Sequence, residues 1–150
     1  MEQSFFAQVR DAFEGFVDDR FGEPRSTWHR RGLKVWFGPA DGAAEREHYE
    51  AQLIRFDGDA ALEIGFHAEY RSAAENQAAL DRLDGRPSWR RALGTSAEAG
   101  PFLGMHDWRR ISEVWQPPDP DDPDAPIEIA ARLAEYVDAI EPLRRATLSR

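Results

Sequence analysis

Between Arg46 and Tyr70, apolar and polar residues alternate on both sides of Asp57-Gly58. A period of two sends successive side chains to opposite faces of a strand, and Asp-Gly accepts the positive φ angles of a two-residue type I′ turn. The pattern predicts an antiparallel hairpin: a two-residue turn sets Leu53 opposite Leu62, Ala51 opposite Ile64 and Tyr49 opposite Phe66, whereas a four-residue loop through Ala60 would slide the partners by two and leave both faces intact. Those residues make one face apolar. His48, Glu50, Gln52, Glu63, His67 and Glu69 fall on the other.

Elsewhere the period lengthens to three or four. Phe5, Phe6, Val9, Phe13, Phe16 and Val17 form a stripe along Ser4 to Phe21, with Arg10, Asp11, Glu14 and Asp18 opposite. This predicts an amphipathic helix with Ser4 as N-cap. Its acidic polar face favours packing on a sheet over lying on a membrane. Gly22 to Gly32, with Pro24 and Ser26, is expected to be a connection. Leu33, Val35 and Phe37 then alternate as a first strand, closed by Gly38-Pro39, and Asp41-Gly42 opens a loop to the hairpin.

After Tyr70, Ser72 and Glu75 form an S-x-x-E capping box, and Ala73, Ala74, Ala78, Ala79, Leu80 and Leu83 predict a helix ending at Asp84-Gly85. Ser88 to Leu93 reads as a short helical turn anchored by Trp89 and stopped by Gly94, whereas Thr95 to Gly104 has no clear period. Trp108 to Trp115 is read as a strand from its tryptophan, isoleucine and valine content. Residues 117–126 hold five prolines and four aspartates and are expected to be an extended, solvated connector. Ile127, Ala130, Leu133, Tyr136, Val137 and Ile140 predict a C-terminal helix capped by Asp124, which Pro142 is expected to bend or end.

The expected fold is α+β. A three-stranded antiparallel meander with at least one further strand would carry N-terminal, middle and C-terminal helices mainly on one face. A chain of 150 residues is the size of one domain, 1–150. No apolar run approaches the roughly 18 residues that span a bilayer, and the N-terminus lacks the basic-then-apolar layout of a signal peptide, so a cytoplasmic protein is expected. There is no cysteine, which excludes disulfides, thiolate nucleophiles and sulfur-ligated metals. The net charge of −9 opposes binding to nucleic acid or anionic membrane. Arginine outnumbers the single lysine, Lys34, a bias that fits a GC-rich bacterial genome.

Two groupings are candidates for chemistry. On the polar hairpin face, His48 and His67 lie directly opposite one another with Glu50, Glu63 and Glu69 close by. Two imidazoles and a carboxylate can hold zinc or another divalent metal. The same alternation describes the wetted side of an antiparallel sheet, and no H-E-x-x-H spacing accompanies it. The face is therefore expected to be solvated, with no catalytic residue, metal ligand or cofactor assigned. The second grouping is Trp89-Arg90-Arg91 and Trp108-Arg109-Arg110, with Trp28-His29-Arg30-Arg31 as a third instance. Converging, these could stack on bases or cations and fork onto phosphate or carboxylate; separately, they are core or rim anchors with snorkelling arginines. Phosphate-binding loops, dinucleotide fingerprints, nucleophile elbows and EF-hand spacings are absent from the sequence.

The order of helix, meander, helix, strand and helix resembles the small acidic α+β fold of type III secretion chaperones. That resemblance covers most of the chain through element order and acidity. The absence of catalytic motifs makes a small non-enzymatic protein-interaction module, of chaperone or adaptor type, the expected function, with a protein as partner and an open sheet edge able to pair with a second copy. The alternative is a metal-dependent enzyme or metal-binding protein using the His48/His67 face.

Overall fold

A computed structural model describes residues 4–38, 44–85, 88–102 and 105–148. Six antiparallel strands form one sheet: β1 (Arg25–His29), β2 (Gly32–Trp36), β3 (Glu47–Phe56), β4 (Asp59–Ala68), β5 (Glu98–Phe102) and β6 (Met105–Trp115), in the order β1-β2-β3-β4-β6-β5. The helices are α1 (Phe5–Phe16), α2 (Ala73–Asp81), α3 (Trp89–Leu93) and α4 (Ala125–Leu148). The α+β expectation is met.

The central hairpin has the register its turn dictates. Leu53 pairs with Leu62, Ala51 with Ile64 and Tyr49 with Phe66, and the ladder closes at Phe56 and Asp59. Asp57 and Gly58 have φ of 51° and 83°, the left-handed pair a type I′ turn requires. The apolar face of this hairpin, joined by Leu33, Val35 and Ile111, packs against Phe6, Val9 and Phe13 of α1 and Ile129, Leu133, Val137 and Ile140 of α4. No helix among the described residues is long and apolar enough to cross a membrane.

Several expectations are corrected. Arg25 to His29 is a strand rather than a connection, pairing Trp28 with Leu33. It is an edge strand with most side chains exposed, so no burial pattern marks its sequence. Helix α1 stops at Phe16 because Val17 turns extended, and Ser4 precedes it without a side-chain cap. A separate helical turn, Asp19 to Phe21, is capped by the Asp18 side chain. The stretch without a clear period contains β5, whose Gly100 and Pro101 suppress the β signal.

Pro142 neither ends nor breaks its helix, which runs to Leu148. Proline removes one intrahelical donor, but Ile140, Glu141 and Leu143 around it are buried, and Arg144 and Arg145 clamp Glu141. Half of the capping box is present: the Ser72 side chain accepts from the Glu75 N–H, while the Glu75 carboxylate accepts from the Ser72 hydroxyl rather than from its backbone N–H. Asp41-Gly42 and Pro39 lie outside the described residues, as do positions 103 and 104.

A histidine and carboxylate centre on the far side of the sheet

Alternation sends His48 and Glu50 of β3, Glu63 and His67 of β4, and Glu69 just beyond β4, to the face turned away from α1 and α4. Register does the rest. His48 stands opposite His67, Glu50 opposite Gly65, and Gln52 opposite Glu63. The two imidazoles lie 5.3 Å apart, centroid to centroid.

The expectation that this face is solvated is corrected, because His48, Glu63 and His67 are each 0% exposed. Local covers account for it. Phe102 of β5 stands edge-on to His67 at 4.7 Å and is itself backed by Trp108. The turn from Ala44 to Arg46 presents the Glu45 carbonyl to His48. Gly65 also matters: a Cβ there would meet the Ile111 carbonyl oxygen at 2.3 Å, so β4 and β6 can approach only without one. That absence leaves room on this face between Glu63 and His67.

Four atoms converge. His48 Nε2 lies 2.9 Å from Glu50 Oε1 and 3.3 Å from Glu69 Oε2, while His67 Nδ1 lies 3.3 Å and 3.1 Å from the same two oxygens. All four are within 4.8 Å of one another. Ligands about 2.1 Å from a common ion would stand about 3.4 Å apart at tetrahedral corners and about 3.0 Å apart at adjacent octahedral ones. The four nitrogen–oxygen separations, 2.9 to 3.3 Å, bracket the octahedral value and fall just short of the tetrahedral one.

The outward ring nitrogens are already engaged. His48 Nδ1 is 2.7 Å from the Glu45 carbonyl, which can only accept, so that nitrogen carries a hydrogen and donates. His67 Nε2 is 2.7 Å from Glu63 Oε2, and Glu63 is steadied by Gln52 Nε2 at 3.0 Å. In their neutral tautomers both rings therefore aim a lone pair at the centre, held from behind by a carbonyl and a carboxylate. Metal-bound histidines are oriented in this way.

The protonation energetics are strongly coupled. Burial works to lower the affinity of both histidines for protons, but the carboxylates outweigh it: Glu50 and Glu69 raise His48, and Glu63, Glu50 and Glu69 raise His67 well above the usual range. Burial likewise works against ionisation of the carboxylates, yet the histidines lower Glu50, Glu63 and Glu69, the last to about 2. The site thus favours net positive charge facing ionised carboxylates. Two protons or a divalent cation can supply it.

The tryptophan and arginine pairs do not converge. Trp89 is buried in the helical-side core with Arg90 stacked on it at 4.3 Å, and Arg91 is exposed. Arg109 reaches Gln77 of α2. Trp108 backs Phe102, and Arg110 bonds Ser112 and Glu98 on the opposite side of the sheet from Trp89. Trp28 belongs to the β1 edge.

Comparison with protein-family models, curated proteins and solved structures found no match to this chain. The resemblance to type III secretion chaperones expected from element order and acidity therefore has no match behind it. One sequence signal does point to the centre: His-x-Glu occurs at His48-Tyr49-Glu50 and again at His67-Ala68-Glu69. Each copy puts both polar residues on one strand face, and the hairpin register brings the copies together. The Glu45 carbonyl and the Phe102 cover have no such signature.

Proposed function

We propose that this chain binds one divalent first-row transition-metal ion, zinc foremost, through His48 Nε2, His67 Nδ1 and one carboxylate oxygen each from Glu50 and Glu69. The observation that carries this reading is the convergence of those four atoms while the other two ring nitrogens are tied to Glu45 and Glu63. Mixed imidazole and carboxylate donors suit zinc, iron or manganese, and the absence of sulfur ligands disfavours copper(I). Glu63 acts from behind His67, raising its basicity and fixing its tautomer.

No nucleophile is assigned, so the proposal is metal binding and not a particular reaction. The protein-interaction reading has no single surface of comparable definition behind it. Elemental analysis and calorimetric zinc titration of tag-free protein test the proposal. One equivalent should bind, and the double variant His48→Ala, His67→Ala should bind none. Equal uptake by the folded double variant, or no uptake by the parent chain, would overturn it.

A further inference from the structure

This inference rests on the metal reading above and concerns what else the ion holds. Among the described residues only two buried side-chain nitrogens lack a hydrogen-bond partner, Trp36 Nε1 and Arg110 Nε. Both are donors, and both residues flank the histidines. His67 pairs with Arg110 on β6. On the other side Val35 pairs with Tyr49, which sets Trp36 one step further along β2, beside His48 on the same face. Trp36 is 7% exposed, so water does not readily satisfy its indole.

Two basic side chains also stand at this centre, in a chain that carries 28 acidic residues against 19 basic ones. Lys34, the only lysine, pairs directly with Glu50 across the strands and so shares its face. Arg46 bonds the Glu69 carbonyl with its guanidinium. Neither Lys34 nor Arg46 has a carboxylate within 4 Å among the described residues. Arg110, by contrast, is already matched to Glu98. With both histidines neutral, a divalent ion together with Lys34 and Arg46 exceeds the charge of Glu50, Glu63 and Glu69 by one positive unit.

We propose that the metal centre takes a small oxyanion as an exogenous ligand, one oxygen on the ion and another accepting from the Trp36 indole N–H, with Lys34 and Arg46 balancing its charge. Four protein ligands permit this. Zinc expands to five-coordination, and octahedral ions retain two positions beyond the four. Carboxylate and phosphate share the required chemistry, a planar or tetrahedral group with at least two acceptor oxygens.

Cobalt(II)-loaded protein tests the inference, because the visible ligand-field spectrum reports each change of coordination. Acetate and inorganic phosphate are titrated in separate arms, and the arm that saturates at the lower concentration identifies the class. At least one should saturate. Trp36→Phe should weaken that anion about tenfold or more, and Lys34→Met should weaken it severalfold, with cobalt affinity unchanged in both. Lys34→Met keeps the test decisive if Trp36→Phe fails to fold. The inference is overturned, with metal binding left standing, if cobalt binds and neither anion alters the spectrum, or if the folded variants bind the anion as the parent does. Failure of cobalt to bind at all overturns both.

Discussion

Buried carboxylates occur on both faces of this sheet, and they are neutralised in different ways. On the helical face, Glu113 of β6 accepts from Arg132 Nε at 2.9 Å and Nη2 at 2.7 Å, from the Tyr136 hydroxyl at 2.7 Å and from the Trp115 indole at 2.7 Å. Glu141 of α4 accepts from the Tyr49 hydroxyl and from Arg144 and Arg145. Each of these carboxylates meets a permanent cation, and each contact pins α4 to the sheet or to its own last turns. On the far face the ion-pair partners of Glu50, Glu63 and Glu69 among the described residues are histidines, whose charge is conditional. Arginine makes a cluster that is complete in the folded chain. Histidine makes one that must still take up a proton or a metal ion.

Removing one partner should separate the two clusters most sharply. Glu113→Ala takes the acceptor from the buried Tyr136 hydroxyl and leaves Arg132 with only Glu135 and the Leu93 carbonyl, and should cost about 3 kcal/mol in urea denaturation of metal-free protein. Glu50→Gln keeps the shape and a hydrogen-bonding oxygen, so its cost in the same experiment should be well below that of Glu113→Ala. If the two losses were equal, the contrast between a complete and an incomplete cluster would fail.

Adding metal should act on the far face alone. At zinc concentrations about 1,000 times the dissociation constant, linkage predicts a gain of about 4 kcal/mol in unfolding free energy. Glu113→Gln should retain that gain, and His48→Ala, His67→Ala should lose it, as read by thermal unfolding with and without chelator. Zinc binding should also weaken as pH falls, because the metal must displace protons from its ligands.

A smaller change tests the support behind the ligands. Glu63→Gln removes the charge behind His67 but leaves all four converging atoms, and should weaken zinc about 10–100-fold without abolishing stoichiometric binding. Unchanged affinity would remove Glu63 from the centre.

The mildest effect is acid sensitivity on the helical face. Burial works to raise the Glu113 carboxyl, but the hydrogen bonds from Arg132, Tyr136 and Trp115 outweigh it and hold the group below its ordinary range. Its stabilisation is therefore present above the unfolded value of about 4.3 and is lost as pH falls through the lower folded value. Stability below about pH 4 should fall less steeply in Glu113→Gln than in the parent. Identical acid limbs would show that Glu113 carries no such linkage.

Much of the architecture was legible because it is local. Asp57-Gly58 defines a turn, the turn defines a register, and the register by itself sets His48 opposite His67. The capping box at Ser72 and the stripe of α4 are read from spacings within a few residues. Strand β1 was not legible, since an exposed edge leaves no burial pattern, and Pro142 misled because packing on both sides of it holds α4 together.

The sequence by itself determined which side chains share a face, including both His-x-Glu pairs, because side-chain direction along a strand depends only on parity. Only the tertiary structure decided that this face is buried and that its ring nitrogens are committed from behind. Phe102, the Glu45 carbonyl and the close approach of β4 and β6 at Gly65 come from separate parts of the chain. Burial at such a distance depends on what folds over a residue, and periodicity does not encode that.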